Sequence, residues 1–186
     1  KPCISGCNGS GTIFFSGSNL RCLFCQNYYI SERNNGREIS TLEFANICID
    51  LQNRGANNIN LVTPTHYVPL IIEGIKKAKQ LGLNIPIVYN SSGYEKVDTI
   101  KLLEGIVDVY LPDFKYFDNM YAMKYSKCKD YFDYTDKAIE EMFRQKPKCI
   151  FDEKGNIISG VIVRHLILPD RKDDSKQVLK HLFLKY

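Results

Sequence analysis

Long apolar runs are missing from this 186-residue chain. Its most hydrophobic stretches, such as "IIEGI" and "VIVRHLIL", are broken by charge well short of the roughly 20 residues that cross a bilayer, and no basic-then-apolar leader opens the chain. A membrane or secreted protein is therefore not expected. Pro- or Ser-rich tracts are also lacking, and hydrophobic residues at 44% with charged residues at 25% match folded, globular usage. Nor are basic residues gathered on one face. The formal charge of +4 and the 12 tyrosines could suit nucleic acid, but lysines and arginines are mixed with acids, so no such partner is expected. The seven cysteines are odd in number and lack the spacing of a stapled scaffold, which points to a reducing cytoplasm. The length suits one sizeable core, hence a single domain over 1–186. The start at Lys1 rather than Met, and the abrupt stop of the last helical stretch at Tyr186, suggest an excerpt of a longer chain.

What is present is an alternation. "TIFF" (Thr12 to Phe15) reads as a strand, followed by a cysteine-bearing loop and then "STLEFANICIDLQNRG". There Ser40 and Glu43 form a capping box, Leu42, Ala45 and Ile49 recur at helical spacing, and Gly55 suits the terminus. The unit repeats as "NINLVT" then "VPLIIEGIKKAKQLG", and as "IPIVYN" then "GYEKVDTIKLLEG". A fourth strand, "VDVYLPDFK", leads through a longer polar stretch to the helix "TDKAIEEMFRQK". "KCIFDEKGNIISGVIVRHLIL" predicts a hairpin turning at Lys154-Gly155-Asn156, its second arm forming a fifth core strand before the helix "DSKQVLKHLFLKY". Five near-continuous apolar strands, each followed by a helix, predict an α/β protein with a parallel sheet. A closed eight-stranded barrel needs roughly 250 residues, so a partial (β/α) TIM-type barrel is the expectation.

Polar groups collect where each strand ends: "SGSNLRCLFCQN", "TPTHYVP", "NSSGYE", "PDFKY" and "RHLILPD". In parallel α/β architectures that edge holds the ligand site. Any single strand end is polar because it meets water; five together argue for a site. The sharpest chemistry lies in Cys22-Leu-Phe-Cys25, which by itself fits half of a zinc site, a redox pair or chance. A zinc site would need two more ligands, with Cys3 and Cys7 as candidates.

The segments "GSGTIFFSGSNLRCLFCQNYYIS", "NLVTPTHYVP", "IVYNSSGY", "LPDFKY" and "GVIVRHLILP", in that order, resemble the radical S-adenosylmethionine (SAM) enzymes. Within them the chain is similar to the pyruvate formate-lyase activating branch, and the resemblance covers nearly the whole chain. It implies a radical SAM core with a [4Fe–4S] cluster held by three thiolates in a C-x-x-x-C-x-x-C loop, leaving the fourth iron open to SAM. Reductive cleavage of SAM then gives methionine and a 5′-deoxyadenosyl radical that removes hydrogen from a substrate. The implied partners are a glycyl-radical enzyme or another protein substrate, and an electron donor such as flavodoxin or ferredoxin.

Carried over residue by residue, the resemblance places Cys22 and Cys25 at the second and third cluster ligands and Ser18 at the first. A hydroxyl is a hard donor with a very high pKa, so serine should hold an iron–sulfur cluster weakly or not at all. Ser18 is then an introduced change, a natural loss, or a gap filled by another thiol, Cys7 being the nearest; the first strand should carry Cys7 to the opposite end of the barrel. Phe24 matches an aromatic near adenine, with ordinary loop packing as the alternative. Asn27 suits backbone contacts beside the cluster. Thr63, Thr65 and His66 stand where relatives carry a glycine-rich acidic motif toward the SAM amino group; His66 as a plain loop residue is the alternative. Asn90 and Ser92 end the third strand, where ribose or methionine is contacted. Asp113 and Lys115 match an Asp-x-Lys motif whose ammonium pairs with the SAM carboxylate. Of Arg164 and His165 only one can face inward, and Arg164 is preferred. Cys48 belongs to the core.

Three departures from the resemblance matter: Ser18, and the expected lack of the family's sixth strand after the last helix and of an extension before Lys1. They leave two further readings, a non-catalytic SAM-binding or interaction protein with a degenerate cluster site, and a zinc-stabilised binding domain.

Overall fold

A computed structural model describes residues 2–33 and 35–186. In chain order its elements are α1 (Pro2–Ser5), β1 (Gly11–Phe14), α2 (Tyr28–Ser31), α3 (Thr41–Asn53) and β2 (Ile59–Val62). A 3-10 turn (Thr65–Tyr67), α4 (Val68–Gln80), β3 (Ile87–Ser91), α5 (Val97–Leu102) and β4 (Val109–Pro112) follow. The chain continues with α6 (Asn119–Ser126), α7 (Tyr131–Gln145), β5 (Ile150–Phe151), β6 (Ile157–Val161) and α8 (Lys172–Lys185). The sheet order is β1-β2-β3-β4-β6-β5, with β1, β2, β3, β4 and β6 parallel and β5 antiparallel at the edge. This is the expected partial TIM-type barrel with its hairpin. Among the described residues no helix is long and apolar enough to cross a membrane.

Local chemistry explains the elements. Ser40 caps α3, its hydroxyl accepting from the Glu43 N–H at 3.1 Å. Pro69 sits in the first turn of α4, where a missing N–H costs nothing, and Val68, Ile71, Ile75 and Ala78 line the buried face of that helix. Residues at alternate positions of the strands divide between two layers. Ile59, Leu61, Ile87, Tyr89 and Tyr110 pack under the helices, while Val88, Val109, Leu111 and Ile157 form a smaller cluster on the inner face.

Three features depart from the sequence pattern. α1 was not expected. It inserts Ile4, 3% exposed, into the inner cluster, a burial worth about 1.5–3 kcal/mol, and it is pinned by the Asn57 and Asn58 side-chain amides donating to the Ser5 and Ile4 carbonyls, each at 2.6 Å. The polar stretch after β4 contains α6, capped by Asp118 and closed by Lys127 in the left-handed region at φ 56°; it gives the main core only the small Ala122 with Tyr121 and Tyr125 packed against it, and otherwise meets the cysteine loop, so its sequence lacks an apolar stripe. Finally, β6 stops at Val161, and Arg164 rejoins the sheet only through a single bridge to Asp113.

Candidate functional site

The carboxyl ends of the parallel strands carry the site. Phe15 continues the β1 ladder, its N–H donating to the Val62 carbonyl at 3.0 Å. Gly17 then turns the chain at φ 85° into a loop fastened by its own backbone: Gly17 N donates to Ile30 O (3.1 Å), Arg21 N to Ser126 O (3.1 Å) and Leu23 N to Tyr125 O (2.9 Å). Cys22 and Cys25 are joined by a turn in which Cys25 N donates to Cys22 O at 3.1 Å. The Cys22 thiol lies 3.0 Å from the hydroxyl of Ser126, and the Cys25 thiol 3.1 Å from that of Ser31. Burial pushes the Cys22 thiol up, opposed by the Ser126 hydrogen bond and by the Lys115 charge, while Cys25 and Asp113 push it further up. The parallel strands put both halves of the predicted site at one end of the sheet, and the Ser126 hydroxyl that meets Cys22 also lies 2.7 Å from the hydroxyl of Tyr116, the neighbour of Lys115 after β4. Phe24 is partly buried against the main core, and Asn27 precedes α2, its carbonyl accepting from Ile30 and Ser31. Cys48 lies fully buried under the helices.

Opposite the cysteines, Asp113 is gripped by two cations. Its carboxylate pairs with the Lys115 ammonium and, at 2.7 Å, with Nη2 of Arg164. The three side chains are only 19%, 13% and 29% exposed, so this cluster is sheltered from solvent screening. Tyr131, fully buried, supports it from below: its hydroxyl accepts from Lys115 N at 3.0 Å and lies 2.7 and 3.0 Å from the carbonyls of Ser92 and Asp113. Gly93 is required beside it, because a Cβ there would fall 2.0 Å from the Asp113 carbonyl oxygen and its φ is +79°. His165 turns away, between the Phe114 carbonyl (2.6 Å) and the Ser175 hydroxyl (2.9 Å).

Between the two halves lie the loops after β2 and β3. Thr63 adopts φ 58°, a left-handed conformation rare for a β-branched residue, while its N–H donates to Asn90 O at 3.0 Å. Thr65 donates to a carboxylate oxygen of Glu95 at 2.6 Å, and His66 Nε2 lies 2.7 Å from the Ser16 carbonyl. Asn90 points inward and donates to Asn60 at 3.2 Å; Ser92 donates to Asn19, whose amide in turn reaches the Tyr94 carbonyl at 2.6 Å. Ser18 accepts from Leu20 N at 3.2 Å. A cleft of about 990 Å³ beside β1 takes in Ser18, Arg21 and His66 but none of Asp113, Lys115 and Arg164. Sequence reasoning missed Ser126, Tyr131, Gly93 and Glu95. Gly93 and Glu95, both in "NSSGYE" at a strand end, carried a visible signal; Ser126 and Tyr131 carried none.

Two observations test these residues against a sulfonium amino acid and an iron–sulfur cluster. Arg164 Nε is buried without a partner among the described residues. An orphan donor beside an ammonium is what a ligand carboxylate would satisfy, so the strand-end half fits S-adenosylmethionine. The cysteine half does not fit a three-thiolate cluster. It offers two thiols and one hydroxyl, and no group of three or more His, Cys, Asp or Glu among the described residues could hold a metal. Cys3 lies within α1 and Cys7 just after it, at the amino end of β1, whereas the Ser18–Cys25 loop leaves the carboxyl end. Neither completes the set, for a cluster or for zinc.

Comparison with known proteins agrees with this architecture. The radical SAM superfamily pattern matches residues 12–180, and the chain belongs to that superfamily. It is 36% identical over 173 residues to the uncharacterized protein MJ0674 of Methanocaldococcus jannaschii, covering 88% of this chain and 46% of that protein. It is also similar in fold to HydG, a maturase of the [FeFe]-hydrogenase, with a TM-score of 0.64 and 17% identity over 94% of this chain and 39% of that one. The chain thus spans about half the length, or less, of these proteins.

Proposed function

We propose that this chain is the S-adenosylmethionine-binding core of a radical SAM enzyme similar to glycyl-radical activating enzymes, its hydrogen donor being a backbone glycine of a partner protein and its electron donor a flavodoxin- or ferredoxin-type carrier. The observation that carries the SAM assignment is the meeting of Lys115, Asp113 and the orphaned Arg164 Nε on the rim that Cys22 reaches through Ser126 and Tyr116. In this reading Lys115 and Arg164 receive the carboxylate of the amino acid, Asp113 holds both cations in place, and Asn90 and the Thr63 turn flank the remainder. The sheltered, low-dielectric position strengthens these contacts.

Ser18 supports a second reading, a protein that binds S-adenosylmethionine without cleaving it. Titration calorimetry with S-adenosylmethionine separates the proposals. Wild-type protein should bind, and Lys115→Ala should weaken binding by about ten- to a hundredfold, the loss of one charge-assisted contact. Absence of binding in wild type sinks both. Anaerobic reconstitution of wild type and Ser18→Cys, followed by iron and sulfide counts, then divides them: cluster uptake by wild type favours the enzyme core, and uptake by the cysteine form alone or by neither favours the binding protein.

A further inference from the structure

Glu95 has no place in the reading above, yet it is among the most deeply buried charged side chains of the described residues, at 2% exposure. Its Oε1 accepts from the Thr65 hydroxyl at 2.6 Å and from the Tyr89 hydroxyl at 3.3 Å, while Oε2 has no partner. A carboxyl group is not buried this way without a return elsewhere, since an unmatched polar atom costs about 1–3 kcal/mol. Its one strong contact goes to the turn that begins with the strained Thr63, a conformation costing of order 1–3 kcal/mol that persists only where its surroundings impose it.

We infer that Glu95 is a positioning residue that latches the Thr63–His66 turn into its ligand-facing shape. Two side-chain fasteners hold that turn. Thr65 ties it to Glu95, on the loop after β3, and His66 ties it through the Ser16 carbonyl to the loop that bears Ser18, Cys22 and Cys25. Thr63 N and Asn90 O form a third link, to the end of β3 itself. The turn is therefore held on both flanks, and Glu95 supplies the side-chain contact between it and the loop after β3. Glu95 lies on the helix side of the sheet with Tyr89, so it acts through Thr65 and does not itself touch a ligand in the rim. This rests on the reading of the rim as the S-adenosylmethionine site only for its effect on binding; the effect on the turn is independent of it.

The test uses Glu95→Ala, Glu95→Gln and Thr65→Val in the full chain, read by hydrogen exchange of peptides covering 63–67 and by calorimetry with S-adenosylmethionine. Glu95→Ala and Thr65→Val should each speed exchange in that turn by about tenfold, with peptides from α4 and α7 unchanged, and weaken S-adenosylmethionine by a similar factor, the worth of one buried hydrogen bond. Glu95→Gln keeps the acceptor oxygen and should stay within about twofold of wild type in both. The double variant Glu95→Ala/Thr65→Val should be no worse than either single change. Unchanged exchange in Thr65→Val, or a Glu95→Gln variant as impaired as Glu95→Ala, overturns the latch. Should Glu95→Ala fail to fold, Thr65→Val decides alone. Wild type that shows the exchange pattern but binds no S-adenosylmethionine leaves the latch standing and removes the ligand assignment.

Discussion

The two halves of the rim are built differently. Asp113 and Arg164 are fixed by ladder contacts at the strand ends: Asp113 N donates to Ser91 O at 3.0 Å, Phe114 N to Arg164 O at 2.7 Å, and Arg164 N to Pro112 O at 2.8 Å, while Lys115 N donates to the buried Tyr131 hydroxyl at 3.0 Å. Ser18, Cys22 and Cys25 sit on a loop held through contacts with α6 and Ser31. Strand-borne groups inherit the rigidity of the sheet, whereas loop-borne groups depend on local fastening. One consequence is that the side chains of Ser18, Cys22 and Cys25 are held by fewer sheet contacts than those of Asp113 and Arg164.

Four substitutions sharpen that contrast. The largest effect is expected for Gly93→Ala, which sets a Cβ 2.0 Å from the Asp113 carbonyl oxygen at a φ of +79°. Backbone cannot yield there as a side-chain tip could, so a loss of about 3 kcal/mol or more in urea unfolding is expected. A wild-type-like midpoint would show that the strand-end half is softer than argued.

Next comes Glu95→Gln. Burial pushes the Glu95 carboxyl up to about 7 from the ordinary 4.5, against the hydroxyls of Thr65 and Tyr89, which pull it down. The folded state therefore prefers the protonated form. The stability from this proton is complete below about pH 4.5 and is lost as pH climbs through about 7, a swing of about 3 kcal/mol at about 1.4 kcal/mol per pH unit. Glu95→Gln cannot ionise. It should remove this loss and melt above wild type at pH 8, with little difference at pH 5; parallel curves from pH 5 to pH 8 would refute the assignment.

Tyr131→Phe follows. It strands Lys115 N and the Ser92 carbonyl, for about 1–3 kcal/mol, and should weaken S-adenosylmethionine more than it disturbs the cysteines. Equal damage to thiol reactivity would mean that the halves are not separable. The smallest effect on stability belongs to Ser126→Ala, about 1 kcal/mol. By removing the hydroxyl that lowers the Cys22 thiol, it should move that thiol further up and slow its alkylation, mapped by peptide mass, while Cys25 changes little.

Much of the barrel was legible in the sequence because its signals are local. Ser40 and Glu43 announced α3, Pro69 began α4, and continuous apolar runs marked the parallel strands. α6 was not legible, since "NMYAMKYS" has no apolar stripe; nor was α1, whose only core contribution is Ile4. At the site, residues at strand ends could be named from their positions. Tyr131, reaching Lys115 from a helix after α6, could not, and neither could Ser126, 104 residues from the thiol it meets.

By itself, the order of apolar runs, caps and turns determined that this chain would fold as successive βα units with polar groups at their carboxyl ends. It also determined that the cysteine loop would hold two thiols and a hydroxyl. Only the tertiary structure decided which groups meet: that Arg164 rather than His165 joins Asp113, that Glu95 withdraws beneath the rim to hold Thr65, and that Cys7 stands away from Cys22. Periodicity and capping act over a few residues of chain, but the partners of a buried charge are chosen by which loops the closed sheet brings together.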